Sequence, residues 1–280
     1  MSKTSGPSVA FQGEFGAFSH IAAEKLLGAK IHAQACPSFN QVFEVLKKGV
    51  TRYAVIPIEN TLHGSIYENY DHLLDSEASI VGETSVRISH QLITMPSVRY
   101  REVRKVFSHP VALNQCRLFF SGHPAIEPVP FYDTAGSVKM LQSEQPEAAG
   151  AIASEAAAVI YGGVIRRRNI EDHRQNFTRF FLLAKRPGKR RFGTGLWKTS
   201  VAFSMANRAG QLFKALGCFA LRDITLTKME SRPLRGKPWE YLFYVDFVGA
   251  ATDTPVKNAL ANLAELSEFL KILGSYRPTP

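Results

Sequence analysis

Short apolar runs alternate with helical patterns through the first two thirds of the chain. Val9–Phe11 reads as a strand and Ala17–Leu27 as a helix; Ile31–Ala35 is again a strand. A helix over Phe39–Lys48 follows, then the apolar run Tyr53–Pro57, a strand at Val106–Ser108 and a helix over Pro110–Phe120. Ala151–Ala153 precedes a helix over Ser154–Tyr161. Strands alternating with helices predict an α/β domain with a mostly parallel or mixed sheet.

The pattern changes after Lys198. Thr199–Met205 alternates, with Val201, Phe203 and Met205 on one face. A helix is expected over Gly210–Ala220 and strands over Ile224–Arg232 and Trp239–Phe247, the second presenting Tyr241, Phe243, Val245 and Phe247 together. A helix over Pro255–Leu266 and a strand near Phe269–Gly274 complete the order βαββαβ, a ferredoxin-like unit.

Composition narrows the class. At 280 residues and 45% hydrophobic, the chain is globular, with one large domain or two ordinary ones. No apolar run reaches the ~20 residues that span a bilayer, and the opening MSKTSGPSVAFQG is too short for a signal or transit peptide, so a cytoplasmic location and no membrane partner are expected. Cys36, Cys116 and Cys218 form no CxxC pair and signal neither a disulfide framework nor zinc. The net charge of +10 invites a nucleic-acid reading, but six of the basic residues lie in Lys185–Lys198, a Gly-containing stretch that reads as a solvated linker. No aromatic interleaving accompanies it, so no nucleic-acid partner is expected. The P-loop, dinucleotide fingerprint, HExxH and GxSxG patterns are missing, so neither a cofactor nor a metal is called for.

The candidate chemistry lies where strands end. At Gly13–Ser19, Ser108–Pro110, Tyr132–Gly136 and Ala153–Ser154 a polar loop leads at once into a helix, whose unpaired N–H groups make a carboxylate seat. Ordinary capping explains any one of these; the set suggests a cleft for a polyanion. The buried run YAVIPIEN delivers Glu59 and Asn60 at its C-terminal end, where open α/β sheets bind ligands. In NFTRF, Thr178 and Arg179 stand at the entrance to the apolar run Phe181–Ala184. Arg179 either forks onto a carboxylate or pairs with a structural acid, and the pattern alone leaves both open.

Together these segments resemble the prephenate dehydratase family. The matching stretches are Gly13–Gly28, Tyr53–Leu73, Ser108–Cys116, Ala151–Gly162 and Asn176–Phe180, in the family's order. The C-terminal part resembles the ACT regulatory domain through Glu230–Pro233 (ESRP) and Gly210–Leu216 (GQLFKAL), with Ala209, Gln211 and Thr225 departing from the usual residues. The resemblance implies an α/β fold: a bilobal, periplasmic-binding-protein-like catalytic domain over 1–185, a basic linker over 186–198 and an ACT domain over 199–280. It implies dehydration and decarboxylation of prephenate or, alternatively, arogenate, without a cofactor, in a homodimer or homotetramer under control by L-phenylalanine.

Residue by residue, Thr178 would hydrogen-bond the departing oxygen, with Glu59 as proton donor and Arg179 as third catalytic group. Asn60, Ser108, Ser19, Thr134 and Ser154 would seat the carboxylates, Asn176 would brace the loop, and Phe180 would pack against the ring or hinge. Asn207, Gly210, Leu212, Glu230, Ser231, Arg232 and Pro233 would hold the effector. A non-catalytic amino-acid sensor is the competing class, and Thr178 argues against it, because a sensor needs no leaving-group donor.

Overall fold

The computed structural model describes residues 6–186, 192–233 and 240–279. Residues 187–191 of the expected linker and Trp239 of an expected strand lie outside the described residues. The chain divides into two compact units, Met1–Asn69 with Ser85–Phe180, and Tyr70–Thr84 with Phe181–Pro280.

Unit 1 begins with β1 (Ser8–Gln12), α1 (Phe18–Leu27), β2 (His32–Cys36), α2 (Phe39–Lys48), β3 (Tyr53–Asn60) and β4 (Gly64–Ser65). The unit boundary falls inside α3 (Tyr67–Asp75) and again inside β5 (Ser79–Arg87). Unit 1 resumes through β6 (Gln91–Thr94), β7 (Lys105–Ser108), α4 (Pro110–Asn114), α5 (Arg117–Ser121), β8 (Glu127–Pro130) and α6 (Thr134–Glu144). It closes with β9 (Ala149–Ala153), α7 (Glu155–Ile160), β10 (Val164–Arg167) and the first half of β11 (Phe177–Ala184).

Unit 1 has two lobes. One is built on the strand order β2-β1-β3-β11, with β1 parallel to both neighbours. The other is the mixed sheet β10-β6-β9-β7-β8. The chain passes between lobes near Ile88–His90 and returns near Ile170–Asn176, and the two passages are tied by Ile88 N–H to Asn176 O (2.8 Å) and Ile170 N–H to His90 O (2.9 Å). The helix expected over Pro110–Phe120 is instead broken at Gln115–Cys116 into α4 and α5. The cause is distant in sequence: the Asp172 carboxylate caps the N–H groups of Arg117 (3.1 Å) and Leu118 (2.9 Å), while Asp172 N–H bonds Gln115 O (2.7 Å).

Unit 2 carries β12 (Lys198–Met205), α8 (Gln211–Ala220), β13 (Leu226–Pro233), β14 (Tyr241–Val248), α9 (Thr254–Leu266), β15 (Phe269–Tyr276) and β16 (Pro278–Thr279). The antiparallel order β13-β14-β12-β15 is the ferredoxin-like arrangement that the βαββαβ pattern predicts. Val201, Phe203 and Met205 pack with Phe243, Val245 and Phe247 against α8 and α9. The opposite face is also buried. Ser200, Ala202 and Ser204 are inaccessible, the Tyr70 and Tyr244 rings lie 4.6 Å apart, and Lys271 Nζ bonds the Leu73 and Leu74 carbonyls at 3.1 and 2.7 Å. Residues 70–84 thus cover a sheet face that in an isolated ferredoxin-like domain would meet solvent.

Candidate active site

A cavity of about 570 Å³ opens within unit 1, lined by residues of both lobes. From the first lobe come Ala17, Phe18 and Ser19 at the start of α1, Ser38 and Phe39 at the start of α2, and Pro57 and Asn60 from β3. From the second come His109, Ala112 and Gln115 around α4, and Asp133 and Thr134 at the start of α6. Thr178 and Phe180 of β11, His63 and His90 complete much of the wall. The starts of α1, α2 and α6 bring unpaired N–H groups and positive dipole ends to one space, which suits an anion.

Local chemistry explains each approach. Gly16, at φ +85°, stands so close to α7 that a Cβ would meet the Ala157 backbone at 2.6 Å, so the GEFG loop needs glycine there. Ser154 caps α7 and donates its hydroxyl to Gly16 O at 2.6 Å, fixing that loop. Asp133 caps α6 through Gly136 N–H at 2.7 Å, and burial pushes its carboxyl above the ordinary range.

The polar centre is a set of bonds around Asn60. Its Oδ1 accepts the backbone N–H groups of Leu62 (3.0 Å) and His63 (3.1 Å), which can only donate, so the amide cannot be turned over. Its Nδ2 therefore faces Asn176 Oδ1 (2.8 Å) and Thr178 Oγ1 (2.9 Å). The threonine oxygen is held as an acceptor, and its own proton has no acceptor among the described residues. Thr178 is thus oriented as a donor beside the cavity.

A second set adjoins it. Gln115 Oε1 lies 2.7 Å from His90 Nε2, and Gln115 Nε2 lies 3.2 Å from His63 Nδ1. Burial holds the His90 imidazole below its ordinary basicity. His90 Nδ1 is buried without a partner among the described residues, so the single proton of the neutral ring belongs on Nε2, donated to Gln115. Burial likewise lowers the basicity of His109, whose Nδ1 accepts Val111 N–H at 3.2 Å.

The expected residues divide clearly. Asn60, Thr178, Phe180, Ser19 and Thr134 line the cavity. Asn176 is fully buried behind Asn60. Ser108, also fully buried, donates to Ile152 O at 2.6 Å, and neither it nor Ser154 borders the cavity. Glu59 and Arg179 do not border it either; alternation along β11 sends Arg179 away from Thr178 and Phe180, and it pairs with Glu59 at 3.6 Å. His63, Gln115, His90, His109 and Asp133 also line the cavity, and no sequence pattern marks them individually as site residues.

A family model described as prephenate dehydratase matches residues 9–188. The chain belongs to the prephenate dehydratase family. Among its relatives, arogenate dehydratase/prephenate dehydratase 2 of Arabidopsis thaliana is 43% identical, over 96% of this chain and 72% of its own length. The bifunctional chorismate mutase/prephenate dehydratase of Aquifex aeolicus is 39% identical, over 96% of this chain and 73% of its own length. The crystal structure of prephenate dehydratase from Arthrobacter aurescens in complex with L-Phe superposes with a TM-score of 0.86 at 31% identity, covering 96% of this chain and 90% of that one. A structure described as GqqA, a novel type of quorum quenching acylase, superposes at 0.88 with 32% identity, covering 98% of each chain.

As a prephenate dehydratase family member, a dehydratase and so a lyase, the chain has an α/β fold of bilobal, periplasmic-binding-protein-like type with an ACT-like domain. Among the described residues, no group of acidic, His and Cys side chains is placed to hold a metal, and no helix is long and apolar enough to cross a membrane. Of the expected effector residues, Arg232 and Pro233 lie at one end of the ACT-like sheet, and Glu230 and Ser231 stand further along β13, opposite Tyr244 and Phe243. β12 ends at Met205, β14 begins beside it at Tyr241, and Tyr241 pairs with Pro233. Asn207 is exposed just past that end, Gly210 starts α8 with φ 78°, and Leu212 is exposed. Glu230 lies 3.6 Å from Lys228, and Arg232 pairs with Asp71.

Proposed function

We propose that this protein converts prephenate to phenylpyruvate, water and carbon dioxide, acting as a carbon–oxygen lyase in L-phenylalanine biosynthesis. The bond from Asn60 Nδ2 to Thr178 Oγ1 carries the reading. Prephenate loses a ring carboxylate and the hydroxyl across the ring together, and aromatisation supplies the drive. The protein's task is to seat a dianion and to stabilise oxygen as it departs. The threonine, held as an acceptor by Asn60, directs its proton toward that oxygen, and this bond strengthens as negative charge develops. The starts of α1, α2 and α6, with Ser19 and Thr134, seat the carboxylates, and Phe180 packs against the ring. Asn176 acts through Asn60, and Glu59 and Arg179 act by holding the ends of β3 and β11.

Arogenate is the second reading, supported by the relatives that carry its name. It differs from prephenate by an ammonium in place of a keto group, at the end of the molecule away from the departing oxygen. The likeness to the acylase structure spans the chain.

We further propose that L-phenylalanine binds the ACT-like unit at the sheet end that carries Gly210 and Glu230–Pro233, in a homodimer or homotetramer. The complex of the Arthrobacter protein supports the effector. Three buried, unpaired cysteines suit a reducing cytoplasm. The test is a side-by-side rate measurement on prephenate and arogenate, with and without phenylalanine. Turnover of neither compound would refute the enzymatic reading.

A further inference from the structure

His63 stands at the junction of the two polar sets, lines the cavity, and lies three residues from Asn60 on the loop that joins β3 to β4. Its Nδ1 is 3.2 Å from Asn60 Oδ1 and 3.2 Å from Gln115 Nε2. These neighbours have opposite characters. The Asn60 oxygen is fixed as an acceptor by two backbone N–H groups, and the Gln115 nitrogen is fixed as a donor because Gln115 Oε1 receives the His90 proton. Nδ1 therefore has a partner whether it carries a proton or a lone pair: a protonated Nδ1 bonds Asn60, both in the charged ring and in the neutral ring that has given up its Nε2 proton, and an Nδ1 lone pair accepts from Gln115. A group that passes a proton needs support in both of its forms, and a merely structural histidine needs it in one. The other ring nitrogen, Nε2, has no hydrogen-bond partner among the described residues.

We propose that His63 is a catalytic residue that delivers its Nε2 proton to the oxygen leaving the ring. The inference rests on the dehydratase reading and deepens it. The carbon–oxygen bond breaks, and the oxygen takes the electron pair and the Nε2 proton of the imidazolium to leave as water. The bond to the ring carboxylate breaks, its pair enters the ring, and carbon dioxide departs. The imidazole, now neutral, keeps its Nδ1 proton on Asn60 Oδ1 and recovers its Nε2 proton from solvent. Thr178 donates a hydrogen bond to the same oxygen throughout and keeps its proton. Glu59, which the sequence suggested as the acid, lies outside the cavity wall, whereas His63 is part of it.

The other titratable side chains of the wall are Glu68, His90, His109, Tyr132 and Asp133. Any of them can shape a pH profile, so the test compares variants at His63 with wild-type protein measured in the same buffers. His63→Ala is expected to lower kcat about 10²-fold, the usual scale of general acid catalysis, with KM changing less than about threefold. His63→Gln retains an N–H near the Nε2 position but does not titrate; it is expected to recover part of kcat while the alkaline decline of the kcat profile flattens. A kcat within threefold of wild type in both variants, or an unchanged alkaline decline in His63→Gln, would overturn the proposal. A loss confined to KM would also overturn it and make His63 a binding residue. Wild-type turnover of prephenate in the same experiment separates failure of this inference from failure of the dehydratase reading.

Discussion

Asn60 Nδ2 lies 2.9 Å from Thr178 Oγ1, a bond between residues 118 positions apart in sequence. It joins the C-terminal end of one sheet strand to the start of another, and it sets the direction in which a hydroxyl can give its proton. Neither residue is unusual alone. The function lies in the order of donors and acceptors: backbone N–H groups fix the Asn60 oxygen, and that fixes the nitrogen on Thr178.

Asn60→Asp tests that order at constant shape. The new carboxylate keeps the acceptor for Leu62 and His63 but replaces the donor facing Asn176 and Thr178 with a second acceptor. The threonine proton then turns toward the carboxylate and away from the cavity. Steady-state kinetics should show kcat lowered about 10²-fold or more, with KM changed much less. Unaltered kcat would mean that Thr178 needs no orienting partner.

The histidines predict an acid limit to stability. Burial lowers the basicity of His90, His20 and His109 from the ordinary value of 6.5. Each favours the neutral form when folded, so its contribution is fully present above pH 6.5 and is lost as pH falls through the depressed folded value. Thermal melts should therefore shift down as pH is lowered from 7 toward 5. His90→Gln, which cannot charge, should show a smaller shift than wild type over the same window. Parallel curves would remove His90 from that account.

Much of the fold was legible in the sequence because local chemistry decides it. The sequence pattern predicts α2 at its observed bounds, with Ser38 capping Gln41 N–H and Gly49 left-handed at its end. Alternation marks the ACT-like strands and survives burial of both faces, since Ser200, Ala202 and Ser204 are small enough to be covered. What was not legible depended on distant partners. The break between α4 and α5 is imposed by Asp172, and it leaves Gln115 at the helix end where it reaches the cavity. The strand end of YAVIPIEN delivers both Glu59 and Asn60, yet only Asn60 borders the cavity. Likewise Thr178 and Arg179 part company because neighbours on a strand face opposite ways.

Gly210 gives a prediction for the regulatory unit. Its φ of 78° puts it in the left-handed region at the start of α8, and a Cβ there would meet nothing within 4 Å, so the constraint is conformational and not spatial. Gly210→Ala should lower stability by about 1 kcal/mol. If phenylalanine binds at this end of the sheet, calorimetry should also show weakened binding with basal turnover retained. Phenylalanine binding equal to wild type would move the effector site elsewhere.

The central claim is tested most directly by kcat for prephenate in Thr178→Ser and Thr178→Ala. The account predicts that serine, which keeps the hydroxyl on Asn60, retains much of the rate, and that alanine loses about 10²–10³-fold. Similar rates in the two variants would contradict it.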